Sequence, residues 1–220
     1  MTKKLLSKSQ ANLYMQCPYK WKKCYVDKIR SKPSKAQMRG IKIHEKIEHF
    51  YKNPKPDADL KNLIRFEIQR VKDMMKDNTF DKKYFYPVFQ ELKMQNEELG
   101  LKGIVDAVFI NPKDNKLIVV DWKTGKYYPD KFDDYRFELA VYAELLKNSG
   151  KINEAPGYWA IYFIDQDKLF FEKIDKKYID KMYETMKQVR QGIKEENYQA
   201  KENEWCYFCQ FKKECPLYGW

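Results

Sequence analysis

Apolar side chains recur at intervals of three and four residues in five parts of the chain, which is the spacing of one face of an α-helix. The clearest stripe lies in residues 59–77, where Asp59 stands at a position suited to capping a helix. Its apolar members are Leu60, Leu63, Ile64, Ile68, Val71 and Met75. Pro18 interrupts the first of the five regions. The predicted helices span Ser9–Cys24, Ile41–Tyr51, Asp59–Asp77, Phe132–Asn148 and Asp175–Glu195.

The other apolar segments are shorter and rich in β-branched and aromatic residues, which is typical of strands. Turn-forming sequences separate them, Asn-Pro-Lys-Asp-Asn at 111–115 and Asp-Gln-Asp at 165–167. The predicted strands span Val88–Gln95, Leu101–Ile110, Lys116–Asp121, Gly157–Ile164 and Lys168–Ile174. Their alternation with helices predicts an α/β protein with one mixed sheet.

Two aspartates occupy matching positions on the second and third predicted strands. If these strands pair as a hairpin with Ile110 opposite Leu117, Asp106 lies directly opposite Asp121 on the same face of the sheet. Lys123 follows Asp121 by two residues, so its side chain points to that face as well. Paired carboxylates repel each other unless a positive charge compensates them, and Mg²⁺ prefers carboxylate oxygen. The register therefore predicts a divalent-metal site at the end of this hairpin.

Glu91 on the first predicted strand and His44 on the helix 41–51 are candidates for further ligands of this metal. A lone histidine on an amphipathic helix is more often a hydrogen-bonded boundary residue, and that interpretation is kept for His49. An isolated Asp-x-Lys sequence more often marks a salt bridge at the end of a strand. The combination of residues therefore favours the metal site, and no single residue does so.

Three of the five cysteines lie within ten residues near the end of the printed sequence. Cys206, Cys209 and Cys215 supply three soft ligands, and Cys17 or Cys24 is a candidate for the fourth. Four thiolates without a nearby histidine suit Zn²⁺ and a [4Fe–4S] cluster equally well. Isolated cysteines are commonly inert core residues, but three at this spacing in a lysine-rich segment predict a metal centre.

The 43 basic and 32 acidic side chains give a formal net charge of +11. Residues 1–35 hold ten basic side chains and one acid, and therefore carry +9 of this total. Lys20, Lys22 and Lys23 are interleaved there with Tyr19 and Trp21, a mixture that suits a polyanion because ammonium groups contact phosphates and rings stack on bases. A solubilising surface is the alternative. Binding to a membrane surface is disfavoured because the segment lacks a clean amphipathic stripe.

Composition excludes several classes of protein. Hydrophobic residues make up 43% and aromatic residues 16%, which is too much for a disordered chain, and 220 residues suit one globular domain. We find no signal peptide and no apolar segment long enough to span a membrane. We therefore expect a cytoplasmic, intracellular protein whose thiols are reduced.

Asp106, Asp121 and Lys123 resemble the core motif of the PD-(D/E)xK nuclease superfamily. More narrowly, the chain is similar to the RecB-like, iron–sulfur-containing exonuclease branch, which includes CRISPR-associated spacer-acquisition nucleases. The other motifs that carry this resemblance are Ser9-Gln10 with Cys17-Pro18-Tyr19, Gly40-x-x-x-His44, and Cys206-x2-Cys209-x5-Cys215-Pro216. Together the motifs span residues 9–216.

The resemblance implies a fold and a division of the chain. The implied fold is an α/β restriction-endonuclease-like core, with a central mixed β-sheet flanked by helices. Residues 1–220 would form a single nuclease domain, with residues 36–195 as its catalytic core. Residues 1–35 and 196–220 would form an iron–sulfur cluster subdomain that joins the N- and C-terminal segments. Cys17 is then the preferred fourth ligand, because it precedes a proline as Cys215 does.

The implied activity is that of a metal-dependent DNA exonuclease, with endonuclease activity as an option, that prefers single-stranded or frayed ends. The implied cofactors are Mg²⁺ or Mn²⁺ and a [4Fe–4S] cluster. Besides DNA, the implied partners are a helicase, a recombination protein or a CRISPR integrase. The implied catalytic residues are Asp106, Asp121 and Lys123. The implied metal ligands are His44, Glu91, Asp106, Asp121 and the backbone carbonyl of Trp122, and the implied cluster ligands are Cys17, Cys206, Cys209 and Cys215.

One position departs from the branch, which commonly carries Gln-x-x-x-Tyr on the helix after the lysine strand. This chain has Glu138-x-x-x-Tyr142, and a carboxylate repels a phosphate that an amide could hydrogen-bond. We expect Glu138 to contact Lys123 or the metal, and Tyr142 to contact DNA or to belong to the core. The DNA-binding candidates are Tyr142, Glu138, Lys20, Lys22 and Lys23.

Two other functions compete with a nuclease. The first is a non-catalytic nucleic-acid-binding subunit in which the cluster serves as a scaffold. The intact set of Asp106, Asp121 and Lys123 favours the enzyme, because a scaffold has no need of paired carboxylates. The second is an electron-transfer iron–sulfur protein, which leaves the basic surface unexplained.

Overall fold

The computed structural model describes residues 5–29 and 32–218, so Lys3, Lys4 and Arg30 of the basic segment lie outside the described residues. Within these ranges, five strands form one mixed sheet in the order β1-β2-β3-β4-β5. They are β1 Phe89–Asn96, β2 Leu101–Ile110, β3 Leu117–Lys123, β4 Tyr158–Phe163 and β5 Lys168–Lys173. β3 and β4 are parallel, and the other neighbouring pairs are antiparallel. The predicted mixed sheet is confirmed, and β2 has the predicted bounds.

The helices are α1 Lys8–Gln16, α2 Pro18–Tyr25, α3 Lys35–Lys52, α4 Lys61–Lys76, α5 Lys82–Phe85, α6 Phe132–Lys147 and α7 Lys176–Lys194. The first predicted helix is divided at Cys17, whose extended backbone (φ −161°) precedes Pro18 at the first position of α2. α3 begins at Lys35 and not at Ile41, because the side chains of Ser34 and Gln37 form a capping box. The four-residue helix α5 was not predicted. No described helix is long and apolar enough to cross a membrane.

Apolar side chains pack against both faces of the sheet. Helices α1, α6 and α7 contribute to the core on one face, which includes Val119 of β3 and Met186 of α7. Helices α3 and α4 contribute to the core on the other face, which includes Trp122 of β3 and Leu63 of α4. Val119 and Trp122 are three residues apart, so the alternation of a strand directs them to opposite faces. Both faces of the predicted sheet are therefore covered by helices.

Part of the apolar stripe predicted for α4 was wrong. Ile68 and Met75 are 52% and 60% exposed. The buried residues of α4 are Leu63, Glu67 and Met74. A carboxylate is tolerated on the buried face because Glu67 accepts hydrogen bonds from the Tyr51 hydroxyl at 2.7 Å and from Arg70 at 2.8 Å. The buried face of α4 therefore includes Glu67 and differs from the purely apolar stripe that was predicted.

The N-terminal segment is attached to the sheet. Leu6 forms a parallel bridge with Leu101, and its N–H donates a hydrogen bond to the carbonyl of Gly100 at 3.0 Å. Tyr14 and Trp21 lie in the same apolar core as α6 and α7. The described part of residues 1–35 therefore contributes directly to the core of the sheet.

Gly192 allows α7 to pack against Tyr14 of α1. A Cβ atom at residue 192 would lie 2.1 Å from the Tyr14 hydroxyl oxygen. A glycine-to-alanine change in an unobstructed helix stabilises by about 1 kcal/mol. Here we expect Gly192→Ala to lower the free energy of unfolding by about 1–3 kcal/mol, because the added methyl group overpacks the helix interface. Urea denaturation followed by circular dichroism measures this change.

Tyr14→Phe provides the control for this prediction, because it removes the hydroxyl that meets the new methyl group. Tyr14→Phe also loses the hydrogen bond from Tyr14 to the carbonyl of Asn197 at 2.6 Å. The stability of the double variant is therefore compared with that of Tyr14→Phe alone. In that background Gly192→Ala should cost less than it does with Tyr14 present. An equal cost in both backgrounds would contradict the steric explanation.

Candidate active site

β2 and β3 separate at the position of the two predicted aspartates. The predicted pairing of Ile110 with Leu117 is confirmed, and the paired register continues to Ala107 opposite Val120. β3 then stays paired with β4 as far as Lys123, whereas β2 stays paired with β1. Beyond Ala107 the two strands are held by different neighbours. This arrangement creates a fork between β2 and β3, and the candidate functional side chains surround it.

Asp106 is the first residue of β2 inside the fork. Its Oδ2 accepts a hydrogen bond from the backbone N–H of Trp122 at 2.8 Å. The β2–β3 ladder therefore ends at the pair of Ala107 and Val120, and the predicted pairing of Asp106 with Asp121 does not form. The backbone N–H of Trp122 donates to the side chain of Asp106 instead. This hydrogen bond also fixes the carboxylate, whose other oxygen, Oδ1, lies 3.5 Å from Nδ1 of His44.

Glu91 has a left-handed backbone conformation (φ 45°) within β1. The pairs of β1 and β2 on both sides of it are formed, so Glu91 lies across from Asp106. A non-glycine residue in this conformation costs of order 1–3 kcal/mol, and such strain is concentrated at functional sites. The strained residue of β1 is therefore the one that brings a second carboxylate to the fork.

Helix α3 brings His44 to the same place. Nε2 of His44 lies 3.0 Å from the carbonyl oxygen of Trp122, which can only accept, so Nε2 carries a hydrogen and donates it. Nδ1 lies 3.6 Å from Oε1 of Glu91 and 3.5 Å from Oδ1 of Asp106. In the neutral ring this tautomer directs the lone pair of Nδ1 toward the two carboxylates. A metal-binding histidine has this arrangement, with its other nitrogen fixed by a carbonyl.

The donor atoms of His44, Glu91 and Asp106 lie within 4.8 Å of one another. One nitrogen and two carboxylate oxygens fit a divalent cation such as Mg²⁺ or Mn²⁺. Burial lowers the pKa of His44, but Asp106, Glu91 and Asp121 together raise it to about 10. The carboxylates thus favour a positive charge at this point, whether a proton or a metal ion supplies it.

Two other predicted ligands make different contacts. The carbonyl of Trp122 accepts the hydrogen bond from His44. Asp121 is 3% exposed and forms an ion pair with Lys123. Among the side chains that the structure describes, Asp121 is not part of the group that contains Asp106 and His44. Metal ligation by Asp121 and by the Trp122 carbonyl stays a prediction.

Lys123 lies between two buried carboxylates. Its Nζ is 3.0 Å from Oδ1 and 2.7 Å from Oδ2 of Asp121, and 2.7 Å from Oε2 of Glu138. The predicted contact between Glu138 and Lys123 is therefore present. Nζ of Lys8 lies 2.7 Å from the same oxygen of Glu138. Lys8 was not predicted as a site residue, because nothing in the local sequence connects it with a residue 130 positions away.

The pKa values of Asp121, Glu138 and Lys123 follow from their burial and from the neighbouring charges. Burial raises the pKa of Asp121 against the opposing effect of Lys123, and Glu138 and Asp106 raise it further. Burial acts in the same direction on Glu138, but Lys123 and Lys8 lower the pKa of that carboxyl to about 2. Burial lowers the pKa of Lys123, and the two carboxylates outweigh it and raise this pKa well above its ordinary value. Lys123 therefore acts as a fixed positive charge at neutral pH and not as a base.

Tyr142 and Glu138 are largely buried behind Lys123. The Tyr142 hydroxyl donates a hydrogen bond to Oε1 of Glu138 at 3.0 Å. The ring of Tyr142 packs against Gly103, where a Cβ atom would lie 3.0 Å from it. The structure therefore gives both residues partners within the protein, and the core interpretation of Tyr142 agrees with its burial. Direct contact of either residue with DNA stays a prediction.

Two of the predicted DNA-binding lysines of the N-terminal segment pair with acidic residues of the chain, and the third lines a pocket. Lys23 forms an ion pair with Glu214 at 2.7 Å. Lys22 lies 3.8 Å from Asp27. Lys20 lines the pocket that contains the cysteines. The structure therefore connects this basic segment with the C-terminal segment, and binding of DNA by these lysines stays a prediction.

The four cysteines chosen from the resemblance line one pocket. Cys17 comes from the junction of α1 and α2, and Cys206, Cys209 and Cys215 come from the segment after α7. Cys24 is not among the residues that line this pocket. Lysine side chains also line it, namely Lys20, Lys201 and Lys212. Cysteine sulfurs in a pocket that lysines also line fit a negatively charged metal centre.

The backbone around the pocket is tied together across the length of the chain. The side-chain amide of Asn203 donates a hydrogen bond to the carbonyl of Gln16 at 3.2 Å. The Tyr19 hydroxyl donates to the carbonyl of Glu214 at 2.7 Å. Hydrogen bonds therefore hold the N- and C-terminal segments next to each other at this pocket.

Among the described residues, the cysteine sulfurs are not gathered as the ligands of a single metal ion. A tetrahedral Zn²⁺ site with Zn–S bonds near 2.3 Å places its sulfurs about 3.8 Å apart. Within residues 5–29 and 32–218, no three cysteine sulfurs lie within 4.8 Å of one another. The identity of the metal centre that these cysteines hold stays a prediction.

The chain is similar to solved structures and matches a model of a protein family. The solved structure described as "Crystal structure of SSO0001" is 15% identical to this chain, with a TM-score of 0.42, over 99% of this chain and 89% of that one. None of the curated proteins matches the chain. The family model described as the PD-(D/E)XK nuclease superfamily matches residues 5–216, a range that includes the fork, its carboxylates and Lys123. The chain belongs to the PD-(D/E)XK nuclease superfamily.

Proposed function

We propose that the chain is a divalent-metal-dependent deoxyribonuclease that degrades single-stranded or frayed DNA from its ends. The observation that carries the proposal is the group of His44, Glu91 and Asp106 at the fork, whose three donor atoms lie within 4.8 Å of one another. Membership of a nuclease superfamily supports hydrolysis of a phosphodiester. The excess of basic residues supports a polyanionic substrate.

Each residue of the site has a proposed task. His44, Glu91 and Asp106 hold Mg²⁺ or Mn²⁺, with Asp121 and the Trp122 carbonyl as further proposed ligands. A divalent ion bound there supplies an activated water and stabilises the leaving oxygen. Lys123 provides a permanent positive charge next to the developing charge on the phosphate. Asp121 holds the ammonium group of Lys123, and the hydrogen bond from Trp122 holds Asp106.

We further propose that Cys17, Cys206, Cys209 and Cys215 bind a [4Fe–4S] cluster. The pocket that the four cysteines share and the lysines that line it support this assignment. The cluster would join segments that are about 190 residues apart in sequence and would stabilise the fold by closing a long loop. In this proposal the cluster is structural, because the residues around it tie the two segments together.

The experiment that tests the proposed function uses DNA strands labelled at the 5′ or the 3′ end, with Mg²⁺, Mn²⁺ or a chelator. We expect progressive shortening of single strands with either metal and no shortening with the chelator. The label that disappears first gives the polarity. Binding without cleavage under every metal condition would favour the non-catalytic nucleic-acid-binding subunit. A helicase, recombination protein or CRISPR integrase as partner is part of the proposal and is tested by adding it to the same assay.

Asp106→Asn is expected to abolish cleavage and to preserve the fold. The amide oxygen can still accept the hydrogen bond from Trp122, but the site loses a negative charge and a metal ligand. We expect cleavage at least 10³-fold slower, because one ligand of the proposed metal is lost. Single-turnover cleavage and thermal unfolding measure the two effects.

Asp180→Asn is the matched control for Asp106→Asn. Asp180 lies in an exposed ion pair with Lys176 on α7, outside the proposed machinery. This variant should cleave at the rate of the unchanged chain. If Asp106→Asn also cleaves at that rate, the assignment of the site is wrong.

Cys17→Ser and Cys24→Ser should differ in their effect on the cluster. The anaerobically purified chain should be brown, with about four iron atoms per molecule. Cys17→Ser should lose iron and visible absorption, whereas Cys24→Ser should retain both, because Cys24 does not line the pocket. Iron analysis and visible spectra measure the difference. A colourless, zinc-containing protein, or equal loss in both variants, would contradict the ligand assignment.

A further inference from the structure

Lys8 occupies a position at which helix electrostatics disfavours a positive charge. It is the first residue of α1, directly after the N-cap Ser7, and the first turn of the helix contains no acidic residue. Positive charges are destabilising at this end of a helix because the backbone N–H groups point outward there. The placement of a lysine at this position therefore calls for a compensating partner.

Glu138 is that partner, and it lies within the active site. Nζ of Lys8 is 2.7 Å from Oε2 of Glu138, the oxygen that Lys123 also contacts at 2.7 Å. The side chain of Lys8 is 19% exposed and that of Glu138 is 10% exposed. The ion pair is therefore shielded from water far more than an ordinary surface pair, and its geometry matters correspondingly more.

The backbone that carries Lys8 is fixed on both sides. Leu6 is bridged to Leu101 of β2, and Ser7 forms a capping box with Gln10. The side chain of Lys8 thus extends toward α6 from a defined point. Such an arrangement is preorganised and needs no folding of a loop around the substrate.

Charge balance explains what the contact does for Lys123. Lys123 has two carboxylate neighbours, Asp121 and Glu138, and carries a single positive charge. Without Lys8, and with both carboxyl groups ionised, the three side chains would have a net negative charge in a largely buried site, which would weaken the attraction of Lys123 for a phosphate. With Lys8, the four side chains are neutral in sum, and Glu138 is shared between two ammonium groups.

We propose that Lys8 is a positioning residue of the active site, which neutralises Glu138 and so leaves Lys123 available to Asp121 and to the phosphate of the substrate. This inference rests on the proposed nuclease function. Lys8 reaches the reaction only through Glu138 and Lys123, so removing the charge of Glu138 should make Lys8 unnecessary.

The test is a double-mutant cycle with Lys8→Met, Glu138→Gln and the combined variant, assayed on single-stranded DNA with Mn²⁺. We expect Lys8→Met to lower kcat by about 10- to 100-fold with little change in KM, because a misplaced catalytic charge costs up to about 10²-fold. The combined variant should recover to within about threefold of the unchanged chain, because its Glu138 position is neutral again.

The salt dependence of DNA binding distinguishes positioning from direct contact with DNA. If Lys8 contacted a phosphate, Lys8→Met would raise KM and reduce the slope of log K against log salt by about 1. The proposal expects an unchanged slope. Lys181→Met is the matched control, because Lys181 pairs with Asp133 on the surface, and it should leave both kcat and the slope unchanged.

Thermal unfolding and Mn²⁺ binding by calorimetry provide readouts that do not depend on cleavage. We expect Lys8→Met to lower the unfolding temperature, and Glu138→Gln to restore part of that loss in the combined variant. Mn²⁺ should still bind Lys8→Met, because His44, Glu91 and Asp106 are unchanged. If the unchanged chain cleaves no DNA, the proposed function fails, and the unfolding cycle still measures the coupling of Lys8 with Glu138.

Three results would overturn the proposal. The first is cleavage by Lys8→Met at the unchanged rate. The second is a combined variant that is no more active than Lys8→Met. The third result applies if Lys8→Met does not fold. In that case a combined variant that also fails to fold would show that neutralising Glu138 does not compensate for the loss of Lys8. A combined variant that folds when Lys8→Met does not would support the proposal.

Discussion

Repulsion between carboxylates is the constraint on which this structure depends. Glu91, Asp106 and Asp121 come from three neighbouring strands and lie near the same fork, where burial makes each uncompensated negative charge costly. The chain meets this constraint with cations of two kinds. His44 faces Glu91 and Asp106, and Lys123 faces Asp121. The site is therefore divided into a proposed metal-binding half and a half with a permanent ammonium group.

The charged side chains lie where the backbone pairing of β2 and β3 ends. The ladder of β2 and β3 ends at Ala107. The side chain of the next residue, Asp106, accepts a hydrogen bond from the backbone N–H of Trp122. β1 and β4 hold the two separated strands, so the sheet stays intact around the fork. Glu91 contributes a strained backbone at the same level. Stability is thus lowered locally where the proposed chemistry requires side chains in place of a continuous ladder.

The N-terminal segment lies next to both proposed sites of the molecule. Residues near the N-terminus reach the candidate active site, since Lys8 contacts Glu138, and they also reach the cysteine pocket through Cys17. α1 and the junction that follows it therefore connect the proposed catalytic and cluster sites within ten residues.

The sequence by itself determined the elements that have a strong local signal. β2 has its predicted bounds, and the register of β2 and β3 follows from the turn at residues 111–115 and the alternation of the strands. The core motif of Asp106, Asp121 and Lys123 was visible for the same reason, because residues on paired strands are related by simple periodicity. Tertiary structure alone decided the end of the β2–β3 ladder, the burial of Glu67 on α4, and the partnership of Glu138 with Lys8. These features depend on charges and hydrogen bonds between residues distant in sequence, and no local pattern encodes such contacts.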